Sequence, residues 1–189
     1  WVCLGSGTAM VLLSGCSGET DPRPNILLCI ADDVSYPHMG RELDWINTPG
    51  FNMVADEGLL FLNAYTPNAK SAPSRSCILT GRNSWQLEEA ANHFCYFPSK
   101  FKTYPDVLEE NGYYVGYTGK GWLPGNPGTK NGKPRELVGR EWNQIRTQPP
   151  TRYISAIDYS ANFEAFYNDK PSGKPFCFWY GGHEPHRKY

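Results

Sequence analysis

An α/β fold, a mostly parallel sheet flanked by helices, is the class this chain predicts, and three observations predict it. Residues 26–30 (ILLCI), 113–117 and 176–180 (FCFWY) are apolar runs of strand length, the kind buried on both faces of a parallel sheet. Segments with helical punctuation lie between them. A charged or catalytically competent residue stands just past the end of each run: Asp32 and Asp33 after the first, Lys120 after the second, His183 after the third. In an open α/β sheet the carboxyl ends of the strands share one edge, where ligands bind, and right-handed crossovers make that arrangement the expected one.

The 189 residues suit one domain, and 40% hydrophobic content is enough for a core. A formal net charge of -1 gives no argument for nucleic acid or for a membrane surface as partner, so any anion selectivity is local. The first sixteen residues differ from the rest. Residues 9–13 are apolar, and Leu13-Ser14-Gly15-Cys16 has the form of a bacterial lipobox, followed by a polar tether over 17–23. This predicts a lipoprotein leader, incomplete because the chain opens on Trp1 without a basic region, and a mature protein held at the bacterial cell envelope by lipid on Cys16 alone. A signal peptide cut elsewhere and an N-terminal strand are the other readings. The expected catalytic domain is then residues 24–189. Of the six cysteines, Cys3 falls in the leader, Cys29 and Cys177 in strands read as buried, and Cys77 in a helix, so most are expected to be small core hydrophobes.

Taken in order, the first strand ends in Ala31-Asp32-Asp33, two adjacent carboxylates whose repulsion needs solvent, a helix N-terminus or a cation to offset it. Thr48-Pro49 opens a helix with Phe51, Val54 and Ala55 on one face, closed by Gly58. Residues 59–65 read as a second strand, completing a βαβ unit that delivers Ser71 to a strand-to-helix turn. Pro73 suits the first helical turn and Gly81 its end. Such a turn offers backbone donors to an anion, and Arg75 one turn on adds a forked cation; a capped helix with a surface arginine is the plainer reading. Residues 83–103 are irregular around His93, which is either a packed histidine or a substrate contact. Pro105 opens a helix ended by Asn111-Gly112, and the next strand delivers Thr118-Gly119-Lys120. Residues 122–150 form a loop rich in Gly, Pro and basic side chains, 157–167 a helix with Ile157, Phe163 and Phe166 available for packing, and Gly181-Gly182-His183-Glu184-Pro185-His186-Arg187 follows the last strand. Two carboxylates for a cation, with Ser, Arg, Lys and His aimed at an anion, make a site for a tetrahedral oxyanion.

Ser71-Ala72-Pro73-Ser74-Arg75 with Leu79-Thr80-Gly81-Arg82 resembles the signature of type I sulfatases. So do Pro24-Asn25-Ile26 leading to Asp32-Asp33, Gly119-Lys120, and His183-Glu184-Pro185-His186, so that the likeness runs from about Pro24 to Arg187. The resemblance implies an alkaline-phosphatase-like fold and a serine-type enzyme in which a formylglycine-generating maturase oxidises Ser71. It implies a divalent cation, usually calcium, on Asp32, Asp33 and modified Ser71, with Arg75 and Lys120 stabilising developing charge and His183 beside the leaving group. Hydroxyl of the aldehyde hydrate attacks sulfur, and loss of the second hydroxyl proton releases sulfate. His93 and His186 are the implied substrate contacts, and Trp122, Trp142, Arg140 and Arg146 would suit a sulfated sugar at the loop rim. Many members continue Gly-Lys-x-His, where this chain has Lys120-Gly121-Trp122, leaving the assisting histidine unmatched. The Ala31-Asp32-Asp33 strand, His93-Phe94 and the final histidine motif resemble the heparan N-sulfatase (sulfamidase) branch, which implies a glycan bearing N-sulfated glucosamine. The family's later half supplies a further ligand pair and a smaller subdomain, so the resemblance implies that these residues are the N-terminal part of a longer protein and inactive alone. A phosphatase or phosphonate hydrolase using unmodified Ser71, and a lipid-anchored glycan-binding protein without catalysis, are the alternatives.

Overall fold

The computed structural model describes residues 21–186; the leader, Cys3 and the lipobox Cys16 lie outside them. Four strands, β1 (Ile26–Asp32), β2 (Tyr114–Gly119), β3 (Arg140–Glu141) and β4 (Phe176–Pro185), form one sheet in the order β1-β4-β2-β3. Every pairing in it is parallel. β4 is central and the most apolar run in the chain: Phe178 and Trp179 are fully buried, with Trp179 opposite Leu28 on one side and Tyr117 on the other. The expected α/β class with a parallel sheet is therefore present.

Among the described residues the α-helices are α1 (Pro49–Glu57), which has no buried residue, and α2 (Ser71–Thr80), α3 (Tyr104–Glu110) and α4 (Tyr159–Asp169), which pack on the sheet. Alternation along the strands sorts their side chains between two faces. Trp179 joins Ala72, Cys77 and Leu79 of α2, with Leu28, Ile30 and Tyr117 alongside, while Val115 and Cys177 pack with Tyr104 and Leu108 of α3. On the opposite face Phe176 and Phe178 meet Phe163 and Phe166 of α4 together with Trp142. Gly116 permits that contact, since a Cβ there would lie 2.9 Å from the Phe166 ring. Helix ends follow their local chemistry. Gly81 caps α2 in the left-handed region at φ 65°, its N–H donating to Cys77 O at 2.8 Å, and Thr103 caps α3 in a reciprocal box with Asp106.

Four sequence expectations fail here. Residues 59–65 form no strand; Leu59, Phe61 and Leu62 are exposed, and the chain leaves α1 through an extended Gly58 without joining the sheet. An apolar run becomes a strand only where a ladder partner lies beside it, and among the described residues β1 pairs on one side alone, with β4. Nor is β1 buried on both faces: alternation turns Leu27, Cys29 and Ala31 to one face, where they are exposed, while the alternate residues are partly buried, so Cys29 is no core residue, whereas Cys77 and Cys177 are. Trp122 and Trp142 are not rim residues. Both are buried, Trp122 edge-on to Phe97 at 5.5 Å and Trp142 edge-on to Phe166 at 5.9 Å, because an indole beside the sheet gains more from burial than from solvent. Thr48 sits at the N-cap of α1, but its hydroxyl accepts from Gly40 N at 3.0 Å instead of capping the helix.

Candidate active site at the carboxyl edge of the sheet

Parallel pairing brings the ends of β1, β2 and β4 to one edge. Asp32 is the last residue of β1, Lys120 follows β2, and Gly181 to His183 lie late in β4. Lys120 leaves its strand through Gly119 at φ 77°, where a Cβ would lie 2.0 Å from Gly181 O; reciprocally, a Cβ on Gly181 would lie 2.1 Å from Lys120 O. Only glycine at both places lets these strand ends approach so closely. The Lys120 N–H then donates to Gly181 O at 2.7 Å.

Ser71 opens α2 at the same edge, reached by a loop and not by the expected strand. Lys120 Nζ donates to Ser71 Oγ at 3.0 Å and to Asp32 Oδ2 at 2.5 Å, and Ser71 Oγ faces Asp32 Oδ1 at a long 3.4 Å. Arg75, one turn into α2 and 3% exposed, donates from Nη2 to Asp32 Oδ1 at 3.1 Å and from Nη1 to Lys120 O at 2.7 Å and Gly121 O at 2.9 Å. Ser71, Asp32, Arg75 and Lys120 are thus brought together. Burial alone would raise the Asp32 carboxyl, but Lys120 and Arg75 outweigh it and hold the group below the ordinary carboxylate range. Burial lowers Arg75, against the pull of Asp32.

Asp33, exposed and at φ 67°, turns the chain so that both aspartates line a pocket of about 490 Å³ with Thr66, Asn68, Ser71 and Arg75. An ionised carboxylate has about four lone-pair positions. Arg75, Lys120 and Ser71 occupy three on Asp32, which leaves room for one more partner on that group beside the exposed carboxylate of Asp33. This donor set of hard oxygens fits a cation such as calcium in kind, though among the described residues no group of three or more His, Cys, Asp or Glu side chains gathers to complete a coordination sphere.

His183 lies at the edge without a hydrogen bond to Ser71; its backbone N–H donates to Tyr159 Oη at 3.1 Å, and the Tyr159 hydroxyl donates to Glu184 at 2.9 Å. Burial lowers its imidazole, with Glu184 opposing. His186 is exposed, and its backbone N–H donates to Asp32 O at 3.0 Å. His93 sits on the loop after α2, where its Nε2 is buried without a partner. Trp179 and Asn143 escaped sequence reasoning, and Trp122 has a different role from the one expected. Trp179 reads as plain core, yet its Nε1 donates to Lys120 O at 3.1 Å. Trp122 Nε1 donates to Ser76 Oγ at 2.8 Å, fixing α2 from below. Asn143 clamps Gly119, accepting from its N–H at 2.7 Å and donating to its carbonyl at 3.1 Å. An indole next to the apolar run's centre carries no sign of its polar end, and Asn143 sits in a stretch without periodicity.

Residues 24–189 match the family profile described as Sulfatase. The chain is similar to an N-acetylglucosamine-6-O-sulfatase of Bacteroides thetaiotaomicron, 29% identical over 197 residues, covering 96% of this chain and 34% of that protein. An ulvan-active sulfatase of Formosa agariphila is 31% identical over 178 residues, covering 92% and 32%. Human iduronate 2-sulfatase is 34% identical over 127 residues, covering 66% and 22%. The chain spans about a third of the length of the first two of these relatives. With the profile matched across the whole sheet and the site at its edge, the chain belongs to the sulfatase family.

Proposed function

We propose that the protein to which this chain belongs removes sulfate from a sulfated glycan, with a formylglycine made from Ser71 by a maturase as its nucleophile. The observation that supports this most is the surrounding of Ser71 Oγ. An unmodified serine needs an adjacent general base. Here its neighbours are an ammonium at 3.0 Å and a carboxylate at 3.4 Å that two cations already hold. That setting suits a group that is itself nucleophilic and meets an anion, and it speaks against the phosphatase reading with plain serine. The hydrated aldehyde supplies a geminal diol, whose second hydroxyl lets the enzyme release sulfate, a step serine cannot perform.

The chain's own residues divide the remaining work. Lys120 Nζ, 11% exposed, is the cation placed to meet a sulfate oxygen. Asp32 and Asp33 would hold the divalent cation, which supplies further charge neutralisation. Arg75 fixes Asp32 and the Lys120 turn while adding a buried positive charge. His183 stands where it can hold or deliver a proton to the departing oxygen or nitrogen. For the substrate we propose a glucosamine-containing chain of the heparan type, with N-sulfo as the group removed, on the strength of the His93-Phe94 and His183-Glu184-Pro185-His186 patterns. The relatives are named for N-acetylglucosamine 6-O-sulfate, iduronate 2-sulfate and ulvan, and the first of these makes O-sulfate of an amino sugar the second reading. We place the protein in the bacterial cell envelope, anchored through Cys16. Mass spectrometry of the tryptic peptide 71–75 from protein made in its native host tests the nucleophile. Loss of two hydrogens at Ser71 is the expected result; an intact serine in active protein overturns the assignment.

A further inference from the structure

Near its carboxyl end β4 bulges out of the ladder. Gly181 is paired on both sides, with Ile30 of β1 and Gly119 of β2, and Gly182 pairs with Ala31 alone; the next pair is Pro185 with Asp32. Between those two pairs His183 and Glu184 have no strand partner among the described residues. A bulge of this kind re-aims a side chain, and its unpaired backbone groups need partners from elsewhere. Tyr159, the first residue of α4, supplies one. Its Oη accepts from His183 N–H at 3.1 Å and donates to Glu184 Oε2 at 2.9 Å, while Glu184 Oε1 accepts from Ser155 N–H at 2.7 Å. An ionised carboxylate only accepts, so the phenol proton points to Glu184 and a lone pair is left for His183. Burial raises the phenol, which therefore keeps that proton at neutral pH.

The same ring braces the neighbouring strand end. A Cβ on Gly119 would lie 3.0 Å from Tyr159 Cε1, so the phenol rests against the residue that precedes Lys120, and it meets Tyr180 edge-on at 5.2 Å. The start of α4 is itself anchored: Asp158 caps the helix by accepting from Ala161 N–H at 3.0 Å, and buried Asn162 accepts from Ile145 N–H at 3.1 Å and donates to its carbonyl at 2.8 Å. We infer that Tyr159, oriented by Glu184, is a positioning residue for His183: it ties the bulge to the Lys120 turn and so sets where the imidazole stands against Ser71 and Lys120. Burial lowers that imidazole, and the charges of Glu184, Lys120, Asp32 and Arg75 all reach it, so it stands within range of the cluster. The family likeness gives neither partner a role: Glu184 is the variable member of His-x-Pro-His, and Tyr159 opens a helix whose sequence speaks only of packing. The inference rests on the sulfate-removal reading above, in which His183 serves the departing atom.

Initial rates of the full protein on N-sulfoglucosamine, N-acetylglucosamine 6-sulfate and 4-nitrophenyl sulfate test it. A nitrophenolate departs without a proton, whereas a sugar amine or alkoxide needs one. Tyr159→Phe keeps the ring and loses both hydrogen bonds. It should lower kcat about tenfold on whichever sugar the parent turns over, with KM within about twofold, and slow the aryl ester at most about twofold. Glu184→Gln frees the phenol to turn; it should show the same pattern at smaller size, and it carries the test if the tyrosine variant does not fold. An equal loss on sugar and aryl ester overturns the inference, because it marks a merely structural role, as does sugar turnover unchanged in both variants. A parent that hydrolyses the aryl ester alone leaves the sulfatase standing and overturns the inference, since no departing atom then needs the imidazole. A parent that hydrolyses none of the three fells the functional reading and the inference with it.

Discussion

Asp32→Asn removes one charge and almost no volume from the centre of the site. Its carboxylate, 7% exposed, serves Arg75 at 3.1 Å and Lys120 at 2.5 Å, themselves 3% and 11% exposed. At an effective dielectric of about 20 the gross attraction is roughly 5 kcal/mol at the Arg75 distance, and somewhat more at the Lys120 distance. Desolvation of all three groups offsets part of it in the native protein. The substitution leaves that desolvation cost in place and removes the anion, so two cations face each other unpaired; breaking a buried pair in this way costs about 3–5 kcal/mol. Urea unfolding at pH 7 with chelator present, so that only the protein's own charges count, should show a loss of that size. Sulfate should then stabilise the variant more than the parent, since an added anion at about 100 times its dissociation constant contributes about 2.7 kcal/mol. A loss under about 1 kcal/mol, or an equal response to sulfate in both proteins, would refute the claim that Asp32 holds this cluster together.

Arg75→Lys keeps the charge but loses the fork that reaches two carbonyls and a carboxylate; turnover should fall about 100-fold or more, with a stability loss of about 1–3 kcal/mol, read by initial rates and unfolding side by side. Trp122→His, which restores the family's Gly-Lys-x-His, should not raise activity, because position 122 lies in the core; vacating the indole should cost about 3–5 kcal/mol in a thermal melt. His93 is depressed first by burial and then by Lys70 and Lys120, so the unfolded chain takes up its proton first as pH falls. Its contribution to stability is therefore full above the unfolded value of about 6.5 and is lost as pH drops through the lower folded value. His93→Gln should flatten the acid side of the stability profile, measured by urea titrations between pH 4.5 and 7.5.

The parts of this fold that were legible in the sequence are those whose cause is local. Gly81 ends α2 because φ 65° suits glycine, and Asn111-Gly112 ends α3 for similar reasons. The order Asp32, Ser71, Lys120 was readable because each sits at an element boundary, and parallel pairing sends the strand ends to one edge; Arg75 follows one turn into α2, and His183 lies within the end of β4. What stayed hidden depends on partners distant in the chain. Residues 59–65 and 176–180 are similar apolar runs, and only the second has neighbours on both sides, β1 and β2. Trp122 and Trp142 lie in a Gly- and Pro-rich stretch that reads as solvent-facing, and their burial is decided by Phe97 and Phe166, which belong to other segments.

Arg75 shows how far role and position can separate. The resemblance makes it a charge that meets the ligand, yet three of its five N–H donors already serve Lys120 O, Gly121 O and Asp32, and its guanidinium lies 5.6 Å from the Trp179 ring. Lys120 O is held by two donors, Arg75 Nη1 and Trp179 Nε1. The same residue's N–H is fixed by Gly181 O, and the preceding glycine by Asn143. Every main-chain handle around Lys120 is thus pinned, while its ammonium, at the end of a flexible stem, is left to bridge Ser71 and Asp32. A pinned backbone with an ammonium held between Asp32 and Ser71 makes the site preorganised: the buried guanidinium of Arg75 and the Lys120 ammonium set together where negative charge is favoured at this edge.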